Sequence, residues 1–150
     1  MSHARTFARV LSVAVLTTML FSTLGSGVAE AVSRREQRLY NWINKERIER
    51  DKRRLRLSDR LSRMARNHSR EMAEGRRVVY HSCLSCKLRS YSYRIAGENV
   101  GAASRLRAVH RAFMRSRPHR RNILRSGYRR VGVGVVKAHG KLWVTEIFLG

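Results

Sequence analysis

The chain has 150 residues, with 33 Lys and Arg against 10 Asp and Glu and a formal charge of +23 at pH 7. That length sets one domain of ordinary size, and no internal repeat or low-complexity linker divides it. So large a surplus repels itself in the compact state and attracts polyanions. No series of aromatic side chains and no nucleic-acid motif accompanies the charge, which excludes sequence-specific reading of nucleic acid.

Residues 1–31 read as a secretory signal. Arg5 and Arg9 form a positive start, "VLSVAVLTTMLFSTLGSGVA" carries no charge, and "AEA" at 29–31 fits a small-x-small cleavage site. An uncleaved membrane anchor is the rival reading, because the uncharged stretch is long enough to span. Its serines, threonines and glycines favour cleavage. The expected product is a secreted, extracellular or surface-held domain over 32–150, whose charge becomes +22 once Arg5, Arg9 and Glu30 leave. Outside a cell such a surface meets anionic cell-wall polymers, lipid head groups and free nucleic acid.

A first helix is expected from Arg34 to about Arg50, with Leu39, Trp42, Ile43 and Ile48 on one stripe. "DKRRLRL" then reads as a charged connector. Ser58 caps a second helix in which Leu61, Ala65, His68 and Met72 recur at four, three and four, and Gly75 ends it. Arg60, Arg63, Asn67, Arg70 and Glu74 fall on its solvated face. His68, on the apolar face, reads as a satisfied core histidine. Residues 76–103 lack strong periodicity beyond a short strand at "RRVVYH".

A third helix is expected over Ser104–Ser116 with Leu106, Val109, Ala112 and Phe113 inward, and Pro118 opens a short one ending near Leu124. "YRRVGVGVVKA" and "KLWVTEIFL" read as two strands joined by a turn at His139 and Gly140. The last strand is apolar on both faces: Leu142, Val144 and Phe148 on one, Trp143, Ile147 and Leu149 on the other. Both faces need cover, and helices are the available cover. The expected fold class is therefore α+β, with a sheet between helical layers.

Chemistry concentrates in the middle of the chain. In an exported protein Cys83 and Cys86 most simply close a small disulfide, worth about 2 kcal/mol by loop entropy. A redox-active pair and a zinc half-site with His81 are the other readings. Glu98 is the single carboxylate between Gly75 and Thr145, a stretch with 17 Lys and Arg. His119 sits among arginines, and neighbouring cations disfavour imidazolium. Two neutral imidazoles and a carboxylate could hold zinc or another divalent cation with one position open, or act as a base with an orienting acid. Their spacing matches no local metal motif, so only a fold can join His81, Glu98 and His119.

The ordered blocks "LYNWINKER", "LSDRLSRMARNHSREMAEG", "HS", "GENV", "AFMRSRPHRRNIL", "VGVGVV" and "KLWVTEIF" resemble the CAP, or SCP-like, superfamily of cysteine-rich secretory, antigen 5 and pathogenesis-related proteins, in its short bacterial branch. The resemblance covers essentially all of 32–150. It implies a three-layer α-β-α sandwich with a mainly antiparallel sheet and a cleft holding His81, Glu98 and His119. Some relatives bind a divalent ion there, several bind sterols, lipids or glycans, and many have no demonstrated activity. Larger members add a second glutamate that residues 99–118 lack, the usual "SPGH" is "SRPH", and Phe113 replaces the usual tryptophan. The resemblance thus implies a non-catalytic binding module with a metal, small apolar or glycan ligand. A metal-assisted hydrolase of peptide or cell-wall material, with Glu98 taking the proton of a water, and a polyanion-binding basic surface protein are the alternatives. A Ser82-His81-Glu98 hydrolase is disfavoured, since adjacency in sequence does not place a hydroxyl on a ring nitrogen.

Overall fold

The computed structural model describes residues 32–75 and 77–150; the expected signal segment, 1–31, lies outside the described residues. Ser33 opens α1 (Arg34–Ile48) with a reciprocal capping box: its hydroxyl accepts from the Glu36 amide, and the Glu36 carboxylate accepts from the Ser33 amide. Leu39 and Ile43 are buried as expected, but Ile48, the last residue of α1, is 48% exposed. Asn44 copies a strand edge: its amide donates to the Leu55 carbonyl and its oxygen accepts from the Leu55 amide. That clasp pins the charged connector and places β1 (Arg56–Leu57), a strand too short for any periodicity to reveal.

Ser58 caps α2 (Asp59–Glu74), which buries Leu61, Ala65, His68 and Met72 and exposes Arg60, Arg63, Asn67, Arg70 and Glu74. The expected strand at 76–81 does not form; 77–81 is irregular, and Val78, Val79 and Tyr80 are exposed. Among the described residues no strand pairs with them. A single turn, α3 (Leu84–Lys87), follows inside the disulfide loop. The second strand is instead β2 (Ala96–Ala103).

Then come α4 (Leu106–Arg115), α5 (Arg117–Leu124), β3 (Arg130–Ala138) and β4 (Lys141–Leu149). Leu106, Val109 and Phe113 point inward on α4, while Ala112 is exposed and His110 takes the buried place. His139 and Gly140, both at positive φ, make the tight turn between β3 and β4.

The sheet order is β1-β3-β4-β2, with β1 parallel to β3 and the other pairs antiparallel, so the sheet is mixed. Leu142, Val144 and Phe148 pack with α1, α4 and α5 on one face. Ile147 and Leu149 meet Leu61 and Ala65 of α2 on the other, beside Trp143 with Met72 and Ala73. The two-faced pattern of β4 thus becomes three layers. Gly132 and Gly134 face α2 so closely that a Cβ on either would run into the backbone of Leu61 or of Ala65 and Arg66. The layers are also joined by a buried ion pair: Arg66 donates twice to Glu36, at 2.9 Å each, and the Val135 amide donates to the same carboxylate. Burial opposes the Glu36 charge, yet the hydrogen bonds from Arg66, Ser33 and Val135 outweigh it and hold the pKa below its ordinary value.

Candidate functional site

Three segments meet at the β2 edge of the sheet. The first is the irregular stretch after α2. His68, fully buried, bonds Glu71 through Nδ1 (3.1 Å) and the Tyr80 carbonyl through Nε2 (2.9 Å), and Tyr80 lies edge-on to its ring. A core histidine thereby positions the turn that presents His81 and Ser82. Directly after them Cys83 and Cys86 are bonded to each other, the first of the three readings of the pair.

The second segment is β2. The Glu98 side chain is only 4% exposed, and its carboxylate is fully engaged by the neighbouring turn. Oε1 accepts from the Ser82 amide (2.9 Å) and lies 3.0 Å from His81 Nδ1, and Oε2 accepts from the Ser82 hydroxyl (2.6 Å). In the neutral ring whose Nδ1 donates to the carboxylate, the lone pair of His81 lies on Nε2. The His81 side chain is 62% exposed, so that nitrogen belongs to a ring open to solvent.

The third segment is α5. Asn99 donates to the His119 carbonyl, and Asn122 donates to the Glu98 carbonyl and to Asn99 Oδ1. These two amides clamp α5 to β2. His119 bonds the Ser116 hydroxyl through Nδ1 (2.9 Å) and packs on Phe113 with ring centroids 5.0 Å apart. Burial, and then the charge of His81, lower its pKa, so His119 is neutral near pH 7. The flanking Arg115, Arg117, Arg120, Arg121 and Arg125 are all exposed. The direction expected from the sequence is the one found, but its source is burial and His81 rather than the arginines.

The turn and the edge strand thus bring His81 and Glu98 into contact, and His119 stands close enough to feel the charge of His81. The arrangement differs from a ready metal centre. Among the described residues no group of three or more His, Cys, Asp or Glu side chains is placed to hold a metal ion. Glu98 is spent on Ser82 and His81, which is the geometry of a carboxylate that orients a histidine from behind. Nor is there a serine triad, since the Ser82 hydroxyl donates to Glu98 and not to an imidazole.

Sequence reasoning missed the acid beneath. Glu146 of β4 pairs in register with Asn99 and is fully buried. Asn99 donates to Oε2 (2.9 Å), while the buried Oε1 has no partner among the described residues. Burial pushes its pKa up to about 8 against the opposing Asn99 bond, so the carboxyl is largely protonated at neutral pH. Asn99 therefore links a neutral buried acid to the backbone of His119. The signal was present: an acid inside "WVTEIFL", a strand buried on both faces, can only be neutral or paired.

The fold and these blocks have known counterparts. The model of the cysteine-rich secretory protein family, CAP, matches residues 40–148. The uncharacterized protein YkwD of Bacillus subtilis is 31% identical over 127 residues, or 80% of this chain, and the chain spans 49% of that relative. An extracellular protein of Bacillus anthracis containing an SCP domain superposes with a TM-score of 0.68 at 24% identity, over 77% of this chain and 40% of its own. An outer surface protein of Borrelia burgdorferi superposes at 0.72 and 17% identity, over 79% and 94%. Family match, relative and three-layer architecture agree: the chain belongs to the cysteine-rich secretory protein family and carries its CAP domain.

Proposed function

We propose that the chain is an exported, non-catalytic binding module whose His81/Glu98/His119 site takes a small ligand, a divalent cation such as zinc or a hydroxyl-rich glycan. Export is supported by the signal-like start of the sequence and by structural neighbours described as extracellular or outer-surface proteins. The observation that carries the binding reading is that both imidazoles are held by their Nδ1 atoms, His81 on Glu98 and His119 on Ser116, with no hydrogen bond at either Nε2 among the described residues. Such nitrogens offer a lone pair to a cation or a hydroxyl. For a cation, His81 and His119 would be the donors and Glu98 the group behind His81. Two protein donors suit a weak, exchangeable ion, and no chemical step is assigned to it. A proton-abstracting role for Glu98 is disfavoured because both its oxygens already accept hydrogen bonds.

The test is calorimetric titration of the full chain and of His119→Ala with zinc chloride and, separately, with an N-acetylglucosamine tetramer. Binding in at least one arm, weakened about tenfold or more in the variant, is expected. Equal uptake by the two proteins in both arms removes the site.

A further inference from the structure

A second feature lies on a different part of the molecule. Arg53, Arg54, Arg56, Arg129 and Arg130 line a recess of about 480 Å³ beside β1. Strand pairing builds it: Arg56 and Arg130 are partners in the parallel β1–β3 ladder, and the Arg56 amide donates to the Arg129 carbonyl. Like charges on paired positions destabilise a sheet. Among the described residues no carboxylate pairs with any of the five. A sixth guanidinium stands behind them. Arg47 is fully buried, donating to the carbonyls of Arg53, Ile123 and Arg125, while its buried Nη2 has no partner among the described residues. Burial, and then the charge of Arg129, lower its pKa.

We infer that this recess is an anion site that takes the phosphate groups of an oligophosphate or phosphodiester chain. Several guanidiniums around one hollow call for a ligand with more than one negative charge, and the planar fork of arginine matches phosphate oxygens two at a time. The volume is that of a small-ligand site rather than a flat surface. No aromatic side chain lines it, so nothing there stacks on a base. A bound anion would relieve the repulsion that the strand register imposes. This inference does not depend on the His81/Glu98/His119 site.

The full chain is titrated with sodium tripolyphosphate at about 0.15 M salt, where interactions between exposed charges reach only ~8 Å. Arg54→Gln/Arg129→Gln is compared with Arg35→Gln/Arg38→Gln, which removes the same charge from the exposed side of α1. One saturable site is expected, weakened roughly tenfold in the recess pair and less than about twofold in the control. The recess pair should melt at or above the native temperature, because it removes like-charge contacts. Should it unfold, Arg54→Lys/Arg129→Lys keeps the charge, loses the forks and is expected to weaken binding several-fold. A parallel arm uses phosphatidylglycerol–phosphatidylcholine vesicles. Loss of binding in both arms assigns the recess to lipid phosphate as well, and loss with tripolyphosphate alone assigns it to soluble phosphate chains. Equal weakening in the two Gln pairs, or no saturable binding by the native chain, overturns the inference.

Discussion

Glu146 shows how a single side chain sets a dependence on pH. Its folded pKa, about 8, lies above the ordinary carboxylate value of 4.5. The native state therefore holds a proton that the unfolded chain has lost, so the contribution is complete below pH 4.5 and vanishes as pH rises through 8. Glu36 has the opposite sign: its lowered pKa stabilises above the ordinary value, and that stability is lost as pH falls. His119 and His110, both lowered from 6.5, also stabilise above that value and lose the contribution on acidification. Glu146→Gln isolates the first effect, since an amide imitates the protonated acid. The variant should lie close to the native chain at pH 5 and exceed it at pH 9 by about 4 kcal/mol, read from urea unfolding at both pH values. A difference that does not grow with pH would mean that the acid ionises freely. Of the site residues, His81, Glu98 and His119 were legible because the family blocks quote them. Asn99 stood inside the same blocks unremarked, and Ser82 was weighed only as a disfavoured nucleophile; their observed roles exist only once a turn is laid against an edge strand.

Among the elements, α3, a single turn with no period to read, was not expected, whereas α1, α2, α4, α5 and the β3–β4 hairpin were legible because their periods are complete. Two strands were not. β1 has two residues, and β2, "AGENVGAA", spreads small and polar side chains over both faces, so neither alternates. "RRVVYH" looked more like a strand than either, yet composition cannot supply a neighbouring strand. Its Tyr80 carbonyl is held by a histidine ring instead of a ladder. The contact of α2 with β3 depends on two glycines inside the expected strand, whose close approach to a helix the sequence pattern does not show. Gly134→Ala would drive a methyl group into the backbone of Ala65 and Arg66. The layers would have to part, at a cost of about 2–3 kcal/mol. Calorimetry should show a melting temperature lowered by several degrees, whereas Gly140→Ala, with open space around its Cβ, should lose less, through its positive φ alone.

For the whole molecule, a charge of +23 acts on stability through the solvent. Self-repulsion over the surface weakens as ions screen it. The midpoint of thermal unfolding should therefore rise between about 0.05 and 0.5 M sodium chloride, opposite to the trend for a protein held by surface ion pairs. A flat or falling midpoint would show that the arginines are locally compensated. The sheet order carries a consequence for how the chain is made. β2 and β3 are not hydrogen-bonded to each other; β2 pairs with β4 alone, and β3 pairs with β4 and with the two residues of β1, so β4, the most C-terminal of the four strands, joins the sheet. Asn99 must wait 47 positions for Glu146. Until β4 is in place, β2 and the β1–β3 pair have no strand between them, so the four-stranded sheet forms only once its most C-terminal strand has been made.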